Sequence, residues 1–178
     1  MKTYRLVTLA SMVAIGCAWP VTMAAQDGGE KAITARVHGT FQDARGGLGV
    51  VSGDMTIVRF ELRNGTITAI GAIDGAIADS AGTVLGQVSQ ELAMPIRNVG
   101  STCNQLRMDL MATDADVLQI PVHFDKEVAG YDSRVGTTPK ALRVLCAAGD
   151  LLRGKPAADA LTRALNDFSA ALAAGNVR

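Results

Sequence analysis

The run MTIVRFELRNGTITAI, residues 55–70, constrains the fold more than any other stretch of the chain. Thr56, Val58, Phe60 and Leu62 alternate with Met55, Ile57, Arg59 and Glu61, and Asn64-Gly65 separates them from a return through Thr66 to Ile73. A period of two sends successive side chains to opposite faces of a strand. Asn and Gly both tolerate the positive φ that a type I′ turn requires at its two central residues. The stretch therefore predicts a β-hairpin. Asn64-Gly65-Thr66 also spells a glycosylation sequon, but the turn accounts for those residues without it.

The same pattern extends on both sides. A strand is expected over Ile33 to Phe41, followed by the loop DARGGLG, residues 43–49. Glycines at 71, 75, 82 and 86 fall among Ile70, Ile73, Ile77, Val84 and Val88, as successive antiparallel strands would place them. Leu106, Met108 and Leu110 read as one core-facing row behind Cys103. After Gly136 the period lengthens. Thr138 can cap a helix with Pro139 in its first turn, and Leu142, Leu145, Cys146, Gly149 and Leu152 share one face of a helix over 139–153, which should bury Cys146. A second helix over 157–174 carries the stripe Leu161, Leu165, Phe168 and Leu172. The expected fold is mainly β (α+β): an antiparallel sandwich or barrel-like sheet in one domain over 33–178, with the two C-terminal helices covering a face or an open end.

Residues 1–24 have the layout of a signal peptide: Lys2 and Arg5, an apolar run from Leu6 to Trp19, Pro20, then Thr22 and Ala24 at the positions that precede cleavage. The run is shorter than the roughly 20 residues that span a bilayer. Residues 25–32 read as a disordered N-terminal segment. Val13-Ala14-Ile15-Gly16-Cys17 also fits a loose lipobox, with Cys17 as a lipidation site. Ala18-Trp19-Pro20-Val21 is not the polar tether that usually follows such an anchor, so ordinary cleavage is favoured and a periplasmic or extracellular location expected. Basic and acidic residues number 17 each, which leaves no electrostatic footprint for nucleic acid. Cleavage would leave only Cys103 and Cys146, and an even pair in an exported chain reads as a disulfide.

Candidate chemistry is sparse. His123, Asp125 and Glu127, spaced by two, would share one side of an extended strand, where they could bind a metal or pair an acid with a base, or simply form the wet face of that strand. The remaining histidine, His38, lies in another strand. Asp114 and Asp116 resemble the start of a calcium loop, but no glycine stands at its sixth position and no glutamate at its twelfth, so a turn is expected. GGLGVVSG, residues 46–53, resembles part of a phosphate-cradling loop, yet a strand rather than a helix follows it. Ser52 lacks a Gly-x-Ser-x-Gly setting, and Ser101 and Ser133 have no base nearby in sequence. These patterns assign no catalytic residue and no cofactor.

Cys103, the ladder Leu106 to Leu110, Val117-Leu118, Val122 to Asp125, Val144-Leu145-Cys146 and Leu151 to Gly154 resemble a family of exported bacterial proteins of uncharacterised activity. Members carry a cysteine, two Leu/Val ladders joined by a turn, and a Leu-Leu-Cys helix. The resemblance implies a secreted β-rich domain and supports the pairing of Cys103 with Cys146. Met111 to Asp114 replaces the family's Gly-Pro-like turn, and Thr138 to Ala141 its Gly/Asn/Leu-rich helix start. The expected function is a non-enzymatic binding or envelope-associated role outside the cytoplasm, with an apolar ligand, taken by a buried apolar face that doubles as a pocket for a lipid-like molecule, or an envelope protein as partner. The alternative is a small exported hydrolase or metalloprotein centred on His123.

Overall fold

The computed structural model describes residues 32–133 and 137–175. The expected signal peptide, Cys17 and the segment that follows them, up to residue 31, lie outside the described residues. The strands are β1 (Ile33–Gln42), β2 (Leu48–Arg63), β3 (Thr66–Ala78), β4 (Val84–Ser101), β5 (Gln105–Leu110), β6 (Thr113–Val117), β7 (Ile120–Phe124) and β8 (Glu127–Asp132). Two helices follow, α1 (Pro139–Arg153) and α2 (Ala158–Gly175).

All strand pairs are antiparallel, and the circuit β1-β2-β3-β4-β5-β8 returns to β1, so the sheet closes into a barrel. Strands β5 and β6, and likewise β7 and β8, are two halves of one long hairpin interrupted at residues 111–112 and 125–126. Strand β7 joins β1 through Gly39 and Thr40 only. Between β4 and β6 the wall has a seam, bridged by the Gln90 side-chain amide donating to the Asp116 carbonyl (2.8 Å) and by the Met111 N–H donating to the Pro95 carbonyl (2.7 Å).

So few strands leave an interior only wide enough for side chains. Val37, Met55, Ile73, Leu92, Met108 and Phe124 fill it, none more than 1% exposed. Tight curvature needs close backbone approach, and Gly53 faces Gly75 across β2 and β3. A Cβ on Gly53 would lie 2.5 Å from the Asp74 carbonyl oxygen. The charged side chains Arg36, Arg59, Arg63 and Arg107 point outward in ion pairs with Asp54, Glu61, Glu91 and Asp109. An apolar inside and a charged outside are the reverse of what a lipid-facing barrel needs.

The Asn64-Gly65 turn forms as its residues require, with φ of 50° and 76°. The alternation before it breaks, however. The β2–β3 register jumps from Ile57↔Gly71 to Arg59↔Ile70, a bulge that leaves Val58 exposed and moves the buried row from Met55 and Ile57 to Phe60. Beyond the start of β1, the Phe60 backbone is completed by a side chain. The Phe60 N–H donates to Asn166 Oδ1, and Asn166 Nδ2 donates to the Phe60 carbonyl, both at 2.8 Å.

The helices cover the end of the barrel where β1 begins. Thr138 Oγ1 accepts from the Ala141 N–H at 3.2 Å and Pro139 opens α1. The stripe Leu161, Leu165, Phe168 and Leu172 is buried, and Phe168 meets Tyr131 edge-on with ring centroids 5.1 Å apart. Cys103 and Cys146 form a disulfide that ties the β4–β5 loop to α1. Cys146 is half-buried, less than its place in the apolar stripe predicts. Leu145 is the buried residue, and Cys146, about 100° further round the helix, turns toward the exposed Cys103.

At the opposite end, Asp43 joins two neighbouring loops. Its carboxylate accepts from the backbone N–H groups of Arg45, Gly47 and Ser80 and from the Ser80 hydroxyl. The Ser80 hydroxyl is the largest cause of a pKa lowered to about 2, followed by the Ser80 and Gly47 backbone groups.

Candidate functional site

Two histidine–carboxylate pairs sit on the outer wall of the barrel. His123 Nδ1 lies 2.7 Å from Asp114 Oδ1, its cross-strand partner in the β6–β7 hairpin. His38 Nδ1 lies 2.9 Å from Glu127 Oε1. Thr40 is the register partner of His123 and two residues from His38, so the pairs occupy neighbouring positions along β1.

His123, Asp125 and Glu127 therefore do not form one set. Strand β7 ends at Phe124 and β8 starts at Glu127, and the odd step between them changes the phase. His123 is outward between buried Val122 and Phe124, whereas Glu127 has the parity of buried Ala129 and Tyr131. For the same reason Val128 is exposed. Asp125 contributes its backbone, with its N–H donating to the His38 carbonyl at 2.9 Å. Among the described residues no group of three His, Cys, Asp or Glu is arranged to hold a metal ion.

The β1–β2 hairpin places Ser52 directly across from His38. Glu127, His38 and Ser52 thus stand in the order acid, base, hydroxyl. No hydrogen bond joins Ser52 to His38, and the imidazole is 52% exposed on a convex wall. Nucleophilic catalysis needs that hydrogen bond and a substrate held beside it. The sequence contains the signal for this juxtaposition, because a hairpin loop fixes the register of its strands. The loop, however, ends at Gly47 rather than Gly49, and that shift of two residues decides which residue faces His38.

Asp114 and Asp116 belong to β6 and not to a turn; the reversal comes after them, at Leu118 and Gln119. Both carboxylates line a cleft of about 630 Å³ along the β4–β6 seam, together with Glu91 and Arg63. Two of its three acids are already engaged: Asp114 by His123, and Glu91 by both terminal nitrogens of Arg59 at 2.9 and 3.2 Å. GGLGVVSG completes a hairpin loop and enters β2, so no helix N-terminus stands behind it.

A second surface lies at the Asp43 end. Leu48, Val50, Val84, Leu85 and Leu118 are all exposed there, Leu48 to 70%. Val50, Ala78 and Val84 are successive register partners across β2, β3 and β4. Leu118 occupies the left-handed region with φ of 50°, followed by Gln119 at 68°. A branched apolar side chain held there and left in water is uncommon and energetically unfavourable. No helix among the described residues is long and apolar enough to cross a membrane.

No family model, no curated protein and no solved structure matches this chain.

Proposed function

We propose that the protein is an exported, non-enzymatic binding module that associates with an apolar component of the cell envelope. In this reading Leu48, Val50, Val84, Leu85 and Leu118 form the contact surface. Export is supported by the signal-like residues 1–24, by the resemblance to exported bacterial proteins and by the Cys103–Cys146 disulfide, which persists in oxidising compartments. A lipid anchor at Cys17 would serve the same role by tethering the barrel to a membrane.

The observation that carries the reading is the pairing of a filled barrel with an apolar end. Buried side chains fill the interior, and large aliphatic residues are concentrated on the outside, where an apolar partner can be met. Leu118 supplies the test. Leu118→Asn suits the left-handed turn better and removes the apolar contact, so it should raise stability while weakening binding. Native mass spectrometry of protein from its own envelope, with vesicle flotation, reads the binding. Ligand-free protein that ignores vesicles, or unchanged binding by Leu118→Asn, refutes the reading.

The order Glu127, His38, Ser52 favours a second reading, a small exported hydrolase, now centred on His38 rather than His123. Turnover of a simple activated ester that disappears in Ser52→Ala would establish it; equal turnover by the two proteins would end it.

A further inference from the structure

The two helices form a groove on the side turned away from the barrel, of about 680 Å³. Val144, Ala147, Ala148 and Leu151 of α1 line it with Ala164 and Ala171 of α2. The helices are antiparallel, because Gly175 at the end of α2 abuts Thr138 at the start of α1. Small side chains along the groove let another helix approach closely.

The charges around the groove are distributed unequally. On the other faces of the helices, Asp150 pairs with Arg153 and Asp159 with Arg163, each within its own helix. The remaining charged residues of α1 and α2, Lys140, Arg143 and Asp167, all line the groove, and none has an ion-pair partner among the described residues. Both cations are on α1 and the acid is on α2.

We propose that the groove is the contact surface for a second copy of this chain. A two-fold axis running along the helices sets α1 of one copy on α2 of the other. Lys140 and Arg143 of each copy then face Asp167 of the other, so one isologous contact matches the charges twice. This self-complementarity favours a second copy over an unrelated partner, which would need its own acid and base at the same spacing. The product is a four-helix bundle with a barrel on each side.

Sedimentation velocity on the oxidised, mature protein over a range of concentrations tests this directly. The wild type should dimerise. Asp167→Lys and Arg143→Asp, both at exposed positions, should each raise the dimer Kd by at least about tenfold through like-charge contact. An equimolar mixture of these variants should dimerise again, because each then offers the charge the other lacks. Ala147→Arg should block the approach, with an unchanged thermal melt showing that the fold is intact. A wild type that stays monomeric refutes the proposal, as does a dimer indifferent to these changes. A monomer whose Ala147→Arg variant alone loses a co-purifying apolar ligand assigns the groove to that ligand instead.

Discussion

Asn166→Ala is the substitution whose effect can be worked most directly from this structure. Strand β1 starts at Ile33, opposite Ile57, and Phe60 lies three residues beyond that pairing on β2. The Asn166 amide both donates to and accepts from the Phe60 backbone at 2.8 Å, so a helix side chain acts there as one more residue of strand. Truncation orphans an N–H and a carbonyl on a residue only 3% exposed. Each fully buried orphan costs about 1–3 kcal/mol, and these bonds are only partly buried, so about 1 kcal/mol each, or about 2 kcal/mol together, is expected. For a domain of this size that corresponds to a Tm drop of about 4–8 °C. Urea denaturation should show a lower midpoint with an unchanged slope, and the Phe60 amide should exchange faster. Asn166→Asp keeps the acceptor but sets a carboxylate against the Phe60 carbonyl, so it should be worse than alanine at neutral pH and recover in acid. A loss below about 0.5 kcal/mol in Asn166→Ala, with Phe60 still protected, refutes the reasoning.

Reduction of the disulfide, or Cys103→Ser with Cys146→Ser, should lower stability by up to about 4 kcal/mol on the chain-entropy model for a separation of 43 residues. Denaturation with and without reductant measures it, and two free thiols in oxidised native protein would contradict the bond. Asp43 titrates near 2 in the folded chain, below the roughly 3.9 of an unfolded aspartate. Its contribution is therefore complete above about pH 4 and lost as pH falls toward 2, and Asp43→Asn should flatten that part of the stability–pH curve. An Asp43 carboxyl signal that titrates near 4 by NMR would contradict the loop network. Gly53→Ala forces a Cβ to within 2.5 Å of the Asp74 carbonyl oxygen, and a loss on the order of 2–3 kcal/mol is expected from overpacking where Gly53 of β2 pairs with Gly75 of β3. A melt like that of the wild type would show that the barrel has slack there.

Local sequence determined the elements whose causes are local. Asn64-Gly65 needs only two residues that tolerate positive φ. Thr138-Pro139 needs only a hydroxyl and a fixed φ, and the stripe from Leu161 to Leu172 needs only a period of 3.6. The cysteine pair was also legible, since Cys103 and Cys146 are the two cysteines outside the signal-like residues 1–24. The tertiary structure decided what depends on residues far apart in the chain. The alternation through Val58 predicted a continuous strand, but the bulge is stabilised by Asn166, more than a hundred residues later. The spacing of His123, Asp125 and Glu127 predicted one shared face. The break at residues 125–126 instead sends His123 to Asp114 and Glu127 to His38, because β1 pairs with β8 at one end and β7 at the other. Periodicity records which way a side chain points only while the strand stays regular. Closure of a small barrel requires bulges and breaks, and these determine which polar residues meet.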